Sequence, residues 1–316
     1  MAHVINKLAV IGQGLIGSSI TRAVGEYGVA RQITVTDSSP KIRSKVIELG
    51  LGEAKVVSTN EAAVEGADLI VICVPVGRIG EVVQQIAKAI KSGAIVTDVG
   101  STKVSVITDA APYIPEGVHF VPAHPLAGTE RSGPGSGRTN LFQNQWCILT
   151  PPNGTVPGAV EKVKDFWQGI GAHVEIMKPR HHDHVLAITS HVPHLIAFTI
   201  FHTALRHERV TDSEVMKFSA GGFRDFTRIA SSNPTMWRDI FLSNKEAILD
   251  VLFELTADIS SLSEAIRRDD GEMLFNHLSM SRLARRKAIE KEHISVKSKP
   301  KPKPVRMLSR PYSSDD

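Results

Sequence analysis

The sequence predicts an α/β protein in which a doubly wound parallel sheet is followed by an all-α C-terminal domain. Three observations predict it: β-branched runs alternate with helical segments in the first half, a glycine-rich turn follows the first run, and strand patterns stop near residue 177. The length of 316 residues fits two domains of ordinary size.

Each predicted strand of the first half is a continuous apolar or β-branched run, as in strands that are buried on both faces of a sheet. These runs lie at residues 8–11, 33–36, 69–74 and 94–97. Segments of helical period lie between them, at residues 16–28, 40–50 and 78–91. After Pro122 we expect the same sheet to continue with residues 146–150 and 173–176, with a helix at residues 157–169 between them.

The second half has helical patterns only. Residues 237–267 repeat apolar side chains at helical spacing, which predicts one long amphipathic helix, and a further helix is expected to run to about His293. We therefore expect a nucleotide domain at residues 1–177, an all-helical domain at 178–295 and a disordered basic tail at 296–316. The long apolar stripe of so small a helical domain predicts a homodimer through that domain.

Charge and composition exclude several classes of protein. Residues 296–316 hold six Lys or Arg and two Asp, which accounts for the whole net charge of +4. The rest of the chain is balanced and has no basic groove with interleaved aromatic residues, so nucleic-acid binding is not expected. No membrane segment and no secretion signal are expected either, and Cys73 and Cys147 lie in apolar runs as reduced core residues. We expect a cytoplasmic protein.

The turn after the first strand carries a dinucleotide-binding pattern. Its residues, with glycines at three of six positions, are Gly12, Gln13, Gly14, Leu15, Ile16 and Gly17. Asp37 follows 20 residues after Gly17 at the end of the second strand, as expected in a Rossmann-type domain. A carboxylate there accepts ribose hydroxyls and repels a 2′-phosphate, which predicts NAD rather than NADP. Val74 and Pro75 end the next buried strand and are expected to line the nicotinamide side.

Four further motifs follow in order along the chain. They are Asp98-Val99-Gly100-Ser101-Thr102-Lys103, the run from His124 to Glu130 (HPLAGTE), the run from Ser190 to His194 (SHVPH), and the run from Gly221 to Ser232 (GGFRDFTRIASS). Behind the glycine turn, this series resembles the prephenate/arogenate (cyclohexadienyl) dehydrogenases of tyrosine biosynthesis over roughly residues 6–293. The resemblance implies NAD-dependent oxidative decarboxylation of a cyclohexadiene that bears a ring carboxylate and a side-chain carboxylate.

The resemblance also implies roles for individual residues. His124 accepts the proton of the C4 hydroxyl, and Ser101 hydrogen-bonds both the imidazole and that hydroxyl. Arg228 binds a substrate carboxylate, Asp225 orients the Arg228 guanidinium from one helical turn away, and His194 is a second polar group that faces the substrate.

Other residues of these motifs have weaker assignments. Thr129 and Glu130 follow the catalytic loop, where Glu130 is a candidate for gating entry. Trp237 either lines the mouth of the pocket or packs between helices, and both interpretations stay open. The run His181-His182-Asp183-His184 does not have the spacing of a metal site, and we interpret it as a polar cap at the start of the helical domain.

Two alternatives to this enzyme remain on sequence grounds. One is another two-domain dehydrogenase, of the β-hydroxyacid or pyrroline-carboxylate reductase type, and the other is a protein that senses NAD without catalysis. The sequence does not distinguish prephenate from arogenate as the substrate, and it leaves inhibition by tyrosine undetermined.

Overall fold

The computed structural model of the chain describes residues 4–129, 131–211 and 217–298. It divides into two compact units, of which the first ends at Lys245 and the second begins at Glu246. This division falls after the expected domain boundary at residue 178, because the helices that precede Lys245 share an apolar core with the sheet of the first unit. The boundary between residues 177 and 178 stays a prediction.

Six parallel strands form the main sheet of the first unit. They are β1 (Ile5–Ile11), β2 (Ala30–Thr36), β3 (Lys55–Val56), β4 (Leu69–Ile72), β5 (Ile95–Asp98) and β6 (His119–Phe120). Their spatial order is β3-β2-β1-β4-β5-β6. The strands up to β3 extend the sheet on one side of β1 and the strands from β4 extend it on the other side, so the order of the strands reverses between β1 and β4. The doubly wound fold predicted from the buried β-branched runs is confirmed.

Five helices connect these strands; the first, second and fourth lie in the segments where the sequence predicts helices, and the third and fifth were not predicted. They are α1 (Leu15–Tyr27), α2 (Pro40–Glu48), α3 (Asn60–Val64), α4 (Ile79–Ile86) and α5 (Val104–Ala110). The apolar faces of these helices and the two faces of the sheet form two buried clusters, which are the core of the unit. The predicted helix at residues 157–169 is α6 (Pro157–Gly169).

The predicted continuation of the main sheet after Pro122 is wrong. The strands exist, but β7 (Ala123–Pro125), β8 (Trp146–Leu149) and β9 (His173–Ile176) form a separate three-stranded sheet. The chain leaves the main sheet because side chains satisfy the backbone of Ala123. Its N–H donates to the Asp98 carboxylate at 3.2 Å, and its carbonyl accepts from the Lys103 ammonium at 2.7 Å.

Four helices complete the first unit: α7 (Pro179–Leu186), α8 (Val192–Thr211), α9 (Gly221–Thr227) and α10 (Pro234–Ser243). A π-helical turn, Ala187–His191, joins α7 to α8. Pro193 lies just beyond this turn and has no N–H to donate, which favours a local widening of the helix. The turn includes His191 and lies between His182 and Asp183 on one side and His194 on the other, all of which are described below.

One helical run, Pro179–Glu208, is long and apolar enough to cross a membrane by length and composition. Its polar side chains His182, Asp183 and His191 are nevertheless buried and hydrogen-bonded within the first unit. This arrangement is typical of a helix in a globular core. The expectation that no segment of the chain spans a membrane stays a prediction.

The single long helix predicted at residues 237–267 is also wrong. Two helices occupy this range, α10 and α11 (Lys245–Arg267), and Asn244 between them has non-helical angles of φ −116° and ψ 32°. The Asn244 side chain donates to the Asp183 carbonyl at 2.8 Å and lies 3.0 Å from Nδ1 of His191. The apolar period continues across this break, so the pattern alone does not reveal it.

The second unit consists of most of α11 and of α12 (Gly271–Ser298). Many of its large apolar side chains are exposed, among them Leu249, Phe253, Ile266, Phe275, Leu278, Met280 and Leu283. The helix α12 continues to Ser298, so the predicted start of the disordered tail at residue 296 is three residues too early. Residues 299–316 lie outside the described part of the chain.

Candidate active site

Glycines shape the turn between β1 and α1. Gly12 has φ +91°, and a Cβ atom there would lie 2.5 Å from the carbonyl oxygen of Cys73. A Cβ at Gly17 would lie 1.9 Å from the carbonyl oxygen of Gly12. Larger residues therefore cannot form this turn without moving the backbone.

Open space lies over the middle of the same turn. Among the described residues, apart from Gly14 itself and its neighbours in the chain, no atom comes within 4 Å of the position that a Cβ of Gly14 would occupy, and none of their side chains caps the N-terminus of α1. Leu15 and Ile16 form the half-buried first residues of the helix. Free N–H groups at a helix N-terminus, next to open space, fit the pyrophosphate of a dinucleotide.

Asp37 lies directly after β2, at the same edge of the sheet. Its carboxylate accepts the N–H of Gln13 at 2.8 Å and the N–H of Ser39 at 2.9 Å. Each carboxylate oxygen has a further lone pair, so Asp37 remains able to accept ribose hydroxyls. The Arg43 guanidinium donates to the backbone carbonyl oxygen of Asp37 at 2.6 Å, so an arginine six residues further along the chain contacts the backbone of this residue.

Val74 and Pro75 follow β4 at the carboxyl edge of the sheet, as predicted. Val74 packs against the core around α4, whereas Pro75 is exposed and begins a short 3₁₀ turn. Ligands of doubly wound folds bind at this edge. The role of these two residues beside a nicotinamide stays a prediction.

A buried ion pair lies next to the residue that precedes His124. The Lys103 ammonium lies 2.5 Å from the Asp98 carboxylate, and both side chains are completely buried. Asp98 also accepts the N–H of Gly100 at 2.7 Å. Because the same two side chains bind the N–H and the carbonyl of Ala123, they hold the residue that precedes His124 from both sides.

His124 is buried in β7 and contacts a second histidine. Its Nδ1 lies 2.9 Å from Nε2 of His182, whose own Nδ1 lies 2.8 Å from the Asp183 carboxylate. Among the described residues, Nε2 of His124 has no hydrogen-bond partner, while the ring as a whole is 8% exposed. Three side chains from β7 and α7 are thus connected in a line.

Burial is the main influence on the ionisation of these groups. It lowers the pKa of His124 well below 6.5, and the nearby His182, Lys103 and His191 lower it further. The pKa of His182 is also lowered by burial, although Asp183 opposes this shift. At neutral pH the imidazole of His124 is therefore uncharged and available as a base.

His191 is a structural residue rather than a substrate ligand in this arrangement. It is 1% exposed, its Nδ1 faces the Asn244 amide, and burial lowers its pKa to about 4. Since the same amide also donates to the Asp183 carbonyl, His191 fixes the end of α10 against α7.

Two of the predicted substrate residues, His194 and Trp237, are in contact. The His194 ring stacks on Trp237 with centroids 3.7 Å apart and planes inclined by 22°. Burial lowers the pKa of His194, and the charge of Arg228 lowers it further. The backbone carbonyl of Ser190 accepts a hydrogen bond from Nδ1 of His194 at 2.8 Å.

Trp237 packs in a core of helices and sheet, which fits the second of the two interpretations that the sequence left open, and its place at the mouth of a substrate pocket stays a prediction. It is 6% exposed in the core of the first unit, and it also lines a cavity of about 370 Å³. Other residues that line this cavity are Phe198, Pro234, Arg238, Phe241 and Leu242. The Nε1 of Trp237 is buried and has no hydrogen-bond partner among the described residues.

Other predicted site residues are not joined to this arrangement in the described part of the chain. Ser101 is half-buried, and its hydroxyl makes no hydrogen bond there to His124 or to another group. Asp225 and Arg228 are both exposed, and Arg228 begins a 3₁₀ turn. Thr129 is exposed and accepts the N–H of Arg131, while Glu130 lies outside the described residues. The roles of these residues stay predictions.

His182 and Asp183 belong to the site, although the sequence did not predict them there. The interpretation of their run as a polar cap is wrong, because both side chains are buried, and Asp183 accepts the N–H groups of Lys103 and Val104 at 2.8 Å each. Asp183 therefore caps α5, which lies far away in sequence. The sequence did contain one indication of this burial, because Asp183 lies three residues before the apolar Leu186 and therefore on the same face of a helix. His181 and His184 lie on the other face and are exposed.

A neutral imidazole near a dinucleotide-binding turn can take a hydroxyl proton while hydride leaves the same carbon. The fold and this site together define a dinucleotide-dependent dehydrogenase.

Sequence profiles narrow this class. The nucleotide-binding domain of prephenate dehydrogenase matches residues 20–176, and the dimerization domain of prephenate dehydrogenase matches residues 178–280. The chain belongs to the prephenate dehydrogenase family.

Individual relatives agree with this assignment. The chain is 42% identical to a cyclohexadienyl dehydrogenase of Zymomonas mobilis over 282 residues, which cover 89% of this chain and 96% of that protein. It is 35% identical to a prephenate dehydrogenase of Bacillus subtilis over 89% of this chain and 76% of that protein. Its structure resembles prephenate dehydrogenase from A. aeolicus in complex with hydroxyphenyl propionate and NAD+, with a TM-score of 0.83 and 31% identity over 90% of this chain and 98% of that one.

Proposed function

We propose that this chain catalyses the NAD-dependent oxidative decarboxylation of prephenate, arogenate or both, as a step of tyrosine biosynthesis. The products are 4-hydroxyphenylpyruvate from prephenate and tyrosine from arogenate. The observation that carries the proposal is the buried, neutral His124, whose Nε2 is free of partners among the described residues. The family assignment supports the substrate class, since the Zymomonas mobilis relative is a cyclohexadienyl dehydrogenase.

We assign a separate step of the reaction to each residue of the site. The bound cofactor supplies the acceptor for the hydride that leaves C4 of the ring. His124 takes the proton of the C4 hydroxyl, so that a carbonyl forms at C4 as the hydride departs. The bond between C1 and its carboxylate then breaks, CO₂ leaves, and the ring becomes aromatic. The C4 oxygen is then a phenolate, which takes back the proton that His124 accepted. We assign Arg228 and His194 to binding a carboxylate of the substrate, since a guanidinium suits a carboxylate and the charge of Arg228 acts on the His194 ring.

Asp37 supports NAD as the cofactor. Its carboxylate has lone pairs for the ribose hydroxyls, and its charge opposes a 2′-phosphate at that position. Arg43 donates to the backbone carbonyls of Asp37 and Ser38, so part of its hydrogen-bonding capacity is already used inside the protein.

A direct assay tests the function. The full chain is mixed with NAD and either prephenate or arogenate, and the absorbance of NADH is followed together with release of CO₂. NADH and CO₂ in equal amounts support the proposal. NADH from a β-hydroxyacid with neither cyclohexadiene accepted would favour the other two-domain dehydrogenases, and NAD binding without turnover of any of these substrates would favour an NAD sensor.

We further propose that the chain is a homodimer through its helical region. The large apolar side chains left exposed on α11 and α12 support this, since a single chain would leave them in water. The match of residues 178–280 to a dimerization domain supports the same region. Sedimentation of the full chain is expected to give twice the mass of one chain, and a mass of one chain at every concentration would contradict the dimer. A cytoplasmic location is retained as part of this proposal, consistent with two free cysteines.

A further inference from the structure

We propose that His182, oriented by Asp183, is a positioning residue that holds His124 in the one tautomer whose Nε2 can accept the substrate proton. The inference deepens the proposed function and rests on it. It follows from the line of three side chains, which no step of the reaction above uses.

Asp183 sets the direction of the line. Its two carboxylate oxygens accept the N–H groups of Lys103 and Val104 at 2.8 Å each, and its Oδ1 also lies 2.8 Å from Nδ1 of His182. An ionised carboxylate has no proton to donate. The contact therefore requires a proton on Nδ1 of His182.

The same requirement passes to the next ring. A neutral histidine that carries its proton on Nδ1 has a lone pair on Nε2, and the side chain of His182 is completely buried, which disfavours its charged form. Nε2 of His182 is therefore an acceptor. At 2.9 Å from it, Nδ1 of His124 must be the donor.

His124 then has a defined state before the reaction begins. Its proton is on Nδ1, and the lone pair is on Nε2, the nitrogen with no partner among the described residues. The opposite tautomer would set two lone pairs against each other at 2.9 Å and would offer the substrate an N–H instead of a base. When Nε2 takes the hydroxyl proton, the positive charge of His124 is stabilised through His182 by the Asp183 carboxylate.

Two substitutions of His182 separate this role from simple packing. In His182→Gln the amide oxygen can reach the position of Nε2 and accept from His124, while the NH₂ group is attracted to Asp183. In His182→Asn the shorter side chain can keep the contact with Asp183 but cannot reach His124. His181→Asn is the matched control, because His181 lies next to it on α7 and is exposed.

The first measurement is the tautomer itself. Long-range ¹H–¹⁵N spectra of the full chain distinguish protonated from unprotonated ring nitrogens without any substrate. We expect a protonated Nδ1 and an unprotonated Nε2 for His124 in the wild type, in His182→Gln and in His181→Asn. In His182→Asn the two tautomers of His124 should both be populated. A protonated Nε2 in the wild type or in His182→Gln would overturn the inference, including where His182→Asn is too unstable to measure.

The second measurement is turnover with saturating NAD. We expect His182→Asn to lower kcat by about 10²-fold, the lower end of the contribution of general base catalysis, and His182→Gln to recover at least tenfold of that loss. His181→Asn should match the wild type. A role in packing alone would make the two variants equally poor, or the asparagine variant better, and either result would overturn the inference. Inactivity of the wild type on both prephenate and arogenate would instead reject the proposed function, while the spectra still decide the tautomer.

Discussion

Replacement of Lys103 by methionine should destabilise the first unit by about 3–5 kcal/mol, because it leaves the charge of Asp98 buried and unpaired. Both side chains of this pair are completely buried, and the Lys103 ammonium also donates to the carbonyl of Ala123 at 2.7 Å. The variant loses both contacts. Asp98 keeps the N–H groups of Gly100 and Ala123, the second at a long 3.2 Å, so the charge is only partly compensated.

Lys91 provides a matched control for this prediction. Its ammonium lies 2.6 Å from the Asp68 carboxylate, but the two side chains are 42% and 22% exposed. Water screens this pair, so Lys91→Met should cost no more than about 1 kcal/mol. The two substitutions remove the same chemical group from the same domain and differ chiefly in burial.

Urea unfolding of the two variants and the wild type, followed by fluorescence and circular dichroism at one protein concentration, measures the difference. The double variant Asp98→Asn with Lys103→Met removes both charges and should be more stable than the sum of its single variants by at least about 1 kcal/mol. We also expect Lys103→Met to lower kcat, since Ala123 precedes His124. A cost for Lys103→Met no larger than that for Lys91→Met would refute the argument that the pair holds β7 in place.

The remaining predictions concern the site. His124→Asn should lower kcat by about 10²–10⁴-fold without changing NAD affinity by titration. In the wild type, kcat/KM should stay constant from pH 7 to below 6.5 and fall only in more acidic solution, because the pKa of His124 is lowered; an acid limb centred at 6.5 or above contradicts this. Arg228→Ala should raise the KM of the substrate about 30-fold, for a charged hydrogen bond worth about 2 kcal/mol, whereas the exposed Arg224→Ala should leave it unchanged. Asp37→Ser should weaken use of NAD and improve use of NADP, which steady-state kinetics with each cofactor will test; a wild type that already prefers NADP would reject the role of Asp37. The free energy of unfolding should decrease as the pH falls from 6.5 to about 4, since His191 in this range is neutral in the folded chain and protonated in the unfolded chain. His191 should account for about 3 kcal/mol of this decrease, measured by urea unfolding at several pH values. His191→Asn should reduce the pH dependence.

Features that depend on neighbours in the chain follow from the sequence alone. The buried strands, the helices between them and the glycine turn are all defined by residues a few positions apart. A Cβ at Gly17 would collide with Gly12, so the pattern of glycines reflects a local constraint that is visible without the fold. The order of the motifs likewise identified the family, and the roles that this resemblance implies for His124, His194 and Arg228 stay predictions.

The tertiary structure decided which of these elements meet. The strands after Pro122 form their own sheet because the Asp98 and Lys103 side chains occupy the backbone groups of Ala123. The helix predicted to run through Asn244 ends there because this amide binds a carbonyl 61 residues away. Apolar periodicity records which face of a helix is buried, but it carries no information about a polar contact with a distant segment.

The support of His124 is the clearest case. Its partner His182 lies 58 residues away, and Asp183 binds the N–H of Lys103 across 80 residues. The sequence of a run of adjacent histidines does not reveal whether a given side chain caps a helix at the surface or is buried in a core. Only the packing of α7 against the end of β7 and the start of α5 removes water from His182 and Asp183. That burial turns a polar run of the sequence into an oriented line of hydrogen bonds.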